Sequence, residues 1–316
     1  MKILFMGTPD FALFSIKALV ESGEELIGVV TQPDQPKGRG YVLTPPPVKV
    51  YAMEQGIPVY QPETLKDDAF YDLLCQLDPE LIVVTAYGKI LPQRVLDYPK
   101  HGCVNVHGSL LPEYRGAAPM QRAIMEGKKV TGVTTMMMDR GLDTGDMLLR
   151  GEFPIEETDN FETVHDKMGL CGVDVLLKTV AAIKDGSLVR TPQNGELATY
   201  AAKIEKADCV LDFSRSAEEL HDQIRGLSPF PLAFTRTEDG KMLKVTEAAV
   251  AKREGVQGEA GTVLSLDGGR VTVACGKGSI ALLGVLPEGK GRMTAAAWIN
   301  GRKVQVGNKL SAKNAQ

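Results

Sequence analysis

The chain has 316 residues, 43% of them apolar and 24% charged, with a formal net charge of −4. That is the make-up of an ordinary globular protein long enough for two cores, and no apolar run approaches membrane-spanning length. Its five cysteines, Cys75, Cys103, Cys171, Cys209 and Cys275, are widely spaced with no CxxC. This excludes a thiolate metal site and points to a reduced, cytoplasmic protein.

Met1 to Gly7 is too short for a secretory signal and reads as a first strand, followed by apolar residues at helical spacing from Phe11 to Val20. This is a Rossmann-like opening, but only Gly7 stands where GxGxxG needs three glycines, so pyrophosphate cradling is disfavoured. A strand at Glu25 to Thr31 follows. Gln32 to Lys49 then breaks the α/β rhythm with five prolines, two glycines and three cations, and shows no periodicity. Connections of that length inside a domain are usually functional or disordered. Helices are expected at Val48 to Gln55 and Asp67 to Gln76, with a short strand at Ile57 to Tyr60 between them. Leu81 to Ala86 is a near-continuous apolar run, as expected of a parallel strand buried on both faces.

The stretch Cys103-Val104-Asn105-Val106-His107-Gly108 is a strand that stops at glycine. Asn105 and His107 lie two residues apart, so their side chains leave on one face at a strand's carboxyl end, where open α/β sheets bind ligands. Downstream, Asp139-Arg140-Gly141-Leu142-Asp143-Thr144-Gly145-Asp146 crowds three carboxylates into one turn after the apolar strand Val130 to Met138. Such a turn can set a carboxylate beside the imidazole and favour its charged form. Asn, His and Asp form an acyl-transfer constellation without a nucleophilic side chain, so the attacking group must come from a substrate. A helix from Ala118 to Met125, a strand from Met147 to Ile155 and a long helix from Phe161 to Lys184 complete this part, with His165 structural or exposed and Met136 to Met138 filling core.

Asp185 to Thr199, rich in Gly, Pro, Asn and Gln, reads as an extended linker. Beyond Lys206 come a helix, Ala217 to Arg225, and short evenly spaced strands that suggest a small barrel. Gly284 to Gly291 nearly matches a phosphate-binding loop, but Gly291 replaces the Ser or Thr that holds magnesium and Pro287 sits inside it, which rules out an NTPase. From Lys206 to the end, 16 Lys and Arg face 12 Asp and Glu, whereas the preceding part carries 20 against 28. The excess of cations at the tail end points towards a polyanionic partner.

Asn105, His107, Ser109-Leu110-Leu111-Pro112 and Leu142-Asp143-Thr144-Gly145, in this order, resemble the folate-dependent formyltransferases. The opening Phe5-Met6-Gly7-Thr8-Pro9-Asp10-Phe11, the insertion Gln32 to Lys49, Tyr114 to Pro119 and Ser228-Pro229-Phe230-Pro231 narrow the resemblance to the branch acting on methionyl-tRNA, over essentially the whole chain. The resemblance implies an α/β fold. A Rossmann-like, mostly parallel catalytic domain spans residues 1–189, a linker 190–205, and a small OB-like β-barrel for tRNA residues 206–316.

It also implies transfer of the formyl group of 10-formyltetrahydrofolate to the α-amino group of methionine on initiator tRNA, by a cytoplasmic monomer that needs no metal. Asn105 and His107 would donate to the oxyanion and Asp143 would hold His107 charged and help remove the proton. Ser109, Leu110, Leu111 and Pro112 would line the folate pocket with Tyr87, Gly88, Ile90, Leu91, Asp139 and Leu142. Lys37 and Arg39 of the insertion would meet the acceptor end of the tRNA, and Lys203, Lys206, Lys290 and Arg292 its phosphates. The sparse charge of the insertion, with Tyr41-Val42-Leu43 where cations could stand, reduces its share of that binding. Runner-up readings are a formyltransferase acting on a sugar-nucleotide or ribonucleotide amine and a formyltetrahydrofolate hydrolase. Outside this chemistry stand a nicotinamide-dependent dehydrogenase and a non-catalytic RNA-binding module.

Overall fold

A computed structural model describes the backbone of residues 1–37 and 41–311. The chain forms two units, the first built from Met1–Ala117, Val130–Pro154 and His165–Ala201, the second from Ala118–Lys129, Ile155–Val164 and the residues from Ala202 onward.

In the first unit, β1 (Lys2–Gly7) and α1 (Phe11–Glu21) are followed by β2 (Glu25–Val30). The insertion is not structureless, because Gln35–Lys37 (β3) and Val42–Thr44 (β4) pair as a small antiparallel ladder. Its foot is tied by Lys49 Nζ, 2.9 Å from both oxygens of Asp34, and by Gln61 Nε2, 2.8 Å from Asp34 Oδ1. Those two donors hold the Asp34 carboxyl below its usual range, the Gln61 bond contributing most. Then come α2 (Pro47–Glu54), β5 (Val59–Tyr60), α3 (Asp68–Leu77), β6 (Leu81–Thr85), the single turn α4 (Gln93–Leu96) and β7 (Cys103–His107). After the two-residue β8 (Arg115–Gly116) the chain leaves this unit for α5 (Pro119–Met125) and returns as the hairpin of β9 (Val130–Met137) and β10 (Met147–Pro154), and α6 runs from Phe161 to Asp185.

The central sheet has the order β10-β9-β7-β6-β1-β2-β5. Strands β5, β2, β1, β6 and β7 are parallel, and β9 and β10 are antiparallel additions at one edge. Both faces of β1 and β6 are covered, which is why these strands are continuous apolar runs rather than alternating ones. From β1 the chain winds outward to β2 and β5, then returns to β6 on the other side of β1. That reversal opens a crevice at the carboxyl ends of β1 and β6, next door to β7. Gly7 closes β1, where a Cβ would meet Ala12 Cβ at 2.8 Å and Thr85 O at 2.9 Å, so glycine there serves packing.

The second unit holds α5, the segment 155–164, α7 (Ala217–Gly226) and a curled antiparallel sheet. Before the sheet, β11 (Tyr200–Ala201) ends the first unit's run. The sheet order is β12 (Ala233–Arg236), β13 (Met242–Lys252), β16 (Ser279–Pro287), β15 (Val271–Ala274) and β14 (Val263–Ser265), with β17 (Met293–Thr294) on β16 and α8 (Ala295–Asn300) after it. Bridges Arg236↔Ser311 and Thr262↔Lys309 tie both outer strands to the last described residues. Helix α7 begins with a capping box, Ser216 and Glu219 each bonding the other's backbone N–H, and sinks Leu220, Ile224 and Leu227 into the core with Trp298. Gly226 lets α7 approach α5, since a Cβ there would lie 2.7 Å from Met125 Cγ.

Candidate active site

Strand β7 alternates strictly. Val106 faces α6, in reach of a Cβ built at Gly172, so Cys103, Asn105 and His107 leave on the opposite face. Asn105 is half-buried and makes no side-chain hydrogen bond to the described residues. His107 is 6% exposed. Its Nε2 donates to the carbonyl of Tyr114 at 3.0 Å, which leaves Nδ1 as the ring nitrogen facing the turn. Nδ1 lies 3.7 Å from Asp143 Oδ2, within ion-pair reach but beyond a direct hydrogen bond. Asp143 has φ +54° and accepts from the Gly116 amide at 2.8 Å through the same oxygen. The segment 114–116 thus touches both members of the pair, its backbone turned by Tyr114 at φ +58° and Gly116 at φ +114°.

The other carboxylates of the turn do different things. Asp139 Oδ1 accepts from Gly141 N at 3.0 Å and from Thr144 Oγ1 at 2.6 Å, shaping its own loop. Gly145 is fixed by sterics, because a Cβ there would lie 1.7 Å from the carbonyl oxygen of Met137. At Gly141 the nearest atoms are all of the Thr144 side chain, Oγ1 at 1.9 Å, Cβ at 2.9 Å and Cγ2 at 3.0 Å, within a loop whose exposed part can shift to make room. Gly145→Ala is therefore expected to destabilise the turn and lower activity far more than Gly141→Ala, with thermal melting and turnover of both variants as the check.

The turn after β7 is equally constrained. Thr134, the register partner of His107, donates to Ser109 O at 2.8 Å and accepts from Leu111 N at 3.1 Å, while Ser109 Oγ donates to Glu113 O at 2.6 Å. Leu111 is fully buried, and the Leu111-Pro112 peptide is cis. Leu110 and Pro112 are half-buried. After β6, Tyr87 and Leu91 sink into a core with Leu96 and Cys103, whereas Ile90 is 79% exposed and Gly88 is open. Burial pushes the Tyr87 hydroxyl up to about 12, and its carbonyl accepts from Thr8 Oγ1 and Gln32 Nε2. Leu142 is 51% exposed.

A cavity of about 620 Å³ opens beside this loop, lined by Gln93, Leu96, Asp97, Pro99, Lys100, Gly102, Cys103, Met137, Met138, Asp139, Arg140, Gly141 and Arg190. Of the residues expected to line a ligand pocket, Asp139 alone is among these. Cys103 is the link to the site, since it stands two residues before Asn105 on the same face of β7. Its thiol is buried and pushed up to about 12, so it is a neutral wall of the cavity. The alternation of β7 was the available signal for Cys103. Gln93, Lys100 and Arg190 come from separate parts of the chain and left none.

Arg39 lies outside the described residues, as does the side chain of Lys37, whose backbone belongs to β3. Lys203, Lys206, Lys290 and Arg292 are exposed in the second unit and form no ion pair among the described residues. Neighbouring cations there are neutralised, Arg122 by Asp208, Arg253 by Glu157 and Glu218, and Lys277 by Glu254. Among the described residues no group of three His, Cys, Asp or Glu could share a metal ion, and no helix is long and apolar enough to cross a membrane.

Residues 1–180 match the formyl transferase family, and residues 203–303 match the formyl transferase C-terminal domain. A methionyl-tRNA formyltransferase of Bacillus pumilus is 48% identical over 314 residues, covering 99% of this chain and 98% of that protein. One of Bacillus subtilis is 46% identical, with the same shares. Among solved structures, an N-formyltransferase of Helicobacter canadensis in complex with folinic acid and dTDP-3-aminofucose superposes with a TM-score of 0.67 at 18% identity, over 89% of this chain and 98% of that one. HypX of Aquifex aeolicus in complex with tetrahydrofolic acid gives 0.62 at 17%, over 97% of this chain but 48% of that one, so the chain spans about half its length. These two likenesses concern the fold alone. The ordered motifs around His107, the two matching regions and the near-complete alignments agree: the chain belongs to the formyl transferase family, in its methionyl-tRNA formyltransferase branch.

Proposed function

We propose that this chain transfers the formyl group of 10-formyltetrahydrofolate to the α-amino group of methionine esterified to initiator tRNA. The observation that carries the reading is full-length identity of 48% to a methionyl-tRNA formyltransferase, combined with a buried His107–Asp143 pair 3.7 Å apart beside an unpartnered Asn105 amide. The cavity suits the donor, with Leu96, Cys103, Met137 and Met138 as an apolar bed for a flat heterocycle. Asp139 and backbone groups would meet its polar edge, and Lys100, Arg140 and Arg190 an anionic tail. Ile90 and Leu142 supply exposed apolar surface nearby. Tyr87, Leu91, Leu111 and Ser109 support the pocket from behind, with Leu110, Pro112 and Gly88 contributing backbone.

In the reaction Asn105 Nδ2 and His107 donate to the formyl oxygen as it gains charge. The Tyr114 carbonyl holds Nε2–H, so the donor to the oxyanion is Nδ1–H of the imidazolium, whose charge Asp143 balances at 3.7 Å. A preorganised donor of this kind is worth about 3 kcal/mol in the transition state. The new carbon–nitrogen bond forms to the methionine amine while the bond to N10 breaks. The proton shed by the amine passes through water and Asp143 towards N10.

The curled sheet of the second unit, read as an OB-like barrel, takes the tRNA backbone with the linker 190–205. Lys203, Lys206, Lys290 and Arg292 bind its phosphates, and Lys37 and Arg39 approach the acceptor end. The protein works as a cytoplasmic monomer. Changing Lys206, Lys290 and Arg292 together to Ala is expected to raise KM for tRNA with kcat little changed, and to flatten the salt dependence by about 0.7–0.9 in log–log slope for each phosphate no longer neutralised. The primary test is formyl transfer to methionyl initiator tRNA and, separately, to a dTDP-amino sugar. Turnover of the tRNA alone supports the reading, and turnover of the sugar alone overturns it.

A further inference from the structure

Residues 191–201 form a strap stitched along the site rather than a free linker. Thr191 and Met147 exchange two backbone hydrogen bonds of 2.9 Å. Gln193 Nε2 donates to the carbonyls of Asp143, at 2.9 Å, and Gly145, at 2.7 Å. Its Oε1 accepts from Arg115 Nε at 3.1 Å and from Arg115 Nη2 at 2.8 Å. Four bonds of matching polarity leave this amide no alternative orientation. Further along, Thr199 Oγ1 accepts from Tyr114 N at 2.8 Å, Thr199 O accepts from Arg115 N at 2.9 Å, and Tyr200 and Ala201 pair with Arg115 and Gly116.

One strap therefore holds both halves of the pair. Gln193 grips the backbone on which Asp143 sits, and Thr199 grips the residue whose carbonyl fixes His107. Asp143 needs such help, because φ +54° is costly for a non-glycine residue and persists only where its surroundings enforce it.

We propose that Gln193 is a positioning residue that sets the Asp143–His107 geometry through the two carbonyls it holds; this rests on the formyl transfer proposed above. Gln193→Ala is expected to lower kcat by about 10²-fold, the usual effect of a displacement near 1 Å, while KM for tRNA moves less than about twofold. Gln193→Glu separates the two ends of the amide. A carboxylate still accepts from Arg115 but repels the carbonyls of Asp143 and Gly145, so this variant is expected to fall as far as Gln193→Ala. Near-normal activity of Gln193→Glu would mean that holding Arg115 is all the residue does, and would overturn the inference.

A second readout needs no substrate. In ¹⁵N-histidine-labelled protein, assigned against His107→Ala, the Nδ1 resonance of His107 should shift in both Gln193 variants. An unmoved resonance in a folded variant overturns the proposal even if turnover falls. Inactivity of the unmodified protein towards methionyl-tRNA would instead sink the functional reading and leave this measurement standing.

Discussion

Asp143→Asn is expected to cut kcat for formyl transfer by about 10²–10⁴-fold, the range for losing a positioned proton acceptor, with folate binding little changed. The substitution is nearly silent structurally. An asparagine oxygen can still accept from Gly116 N, and asparagine is among the few residues that tolerate the positive φ found here. What disappears is the negative charge 3.7 Å from Nδ1, and with it the means to hold a proton there and take one from the amine. Steady-state kinetics beside calorimetric titration with a folate analogue checks both halves. Retained turnover would remove Asp143 from the chemistry.

His107→Ala should lower turnover at least as far as Asp143→Asn and also destabilise the protein by about 1 kcal/mol, the net worth of the buried hydrogen bond it removes. That bond is the one from Nε2 to the carbonyl of Tyr114. Because His107 and Asp143 act as one unit, the double variant should be scarcely slower than His107→Ala alone. Rate losses that multiply would show that the two act independently. Thermal melting separates the packing defect from the chemical one, since Asp143→Asn should share only the latter.

What was legible in the sequence was what local chemistry dictates. The apolar runs Lys2–Gly7 and Leu81–Thr85 announce buried parallel strands, and the Pro46-Pro47 pair and Asp67 mark the starts of α2 and α3. The same-face placement of Asn105 and His107 follows from strand geometry alone, and the acidic turn was visible as a source of a carboxylate. Which of its three aspartates faces the imidazole was not fixed by spacing. It depends on Asp139 folding back on its own loop and on Gly116 capturing Asp143.

The strap was hidden because Gly, Pro, Asn and Gln in 185–199 look the same whether they float or are pinned by partners far away in sequence. Tyr87 is a related case, because its ring packs in the core and a tyrosine in the loop after a strand does not announce that. The ladder in the insertion depends on pairing across residues that carry no alternating pattern, and α4 is too short to show a period.

The second unit collects its pieces from three places along the chain, and this bears on how the protein is made. During synthesis from the amino terminus, α5 emerges with the apolar strip at Met125 needing cover, but its packing partner α7 is translated almost a hundred residues later. Until then that apolar strip is exposed to solvent and to other nascent chains. Holding chaperones should therefore bind the ribosome-bound chain between the appearance of α5 and that of α7, and let go once α7 has cleared the exit tunnel.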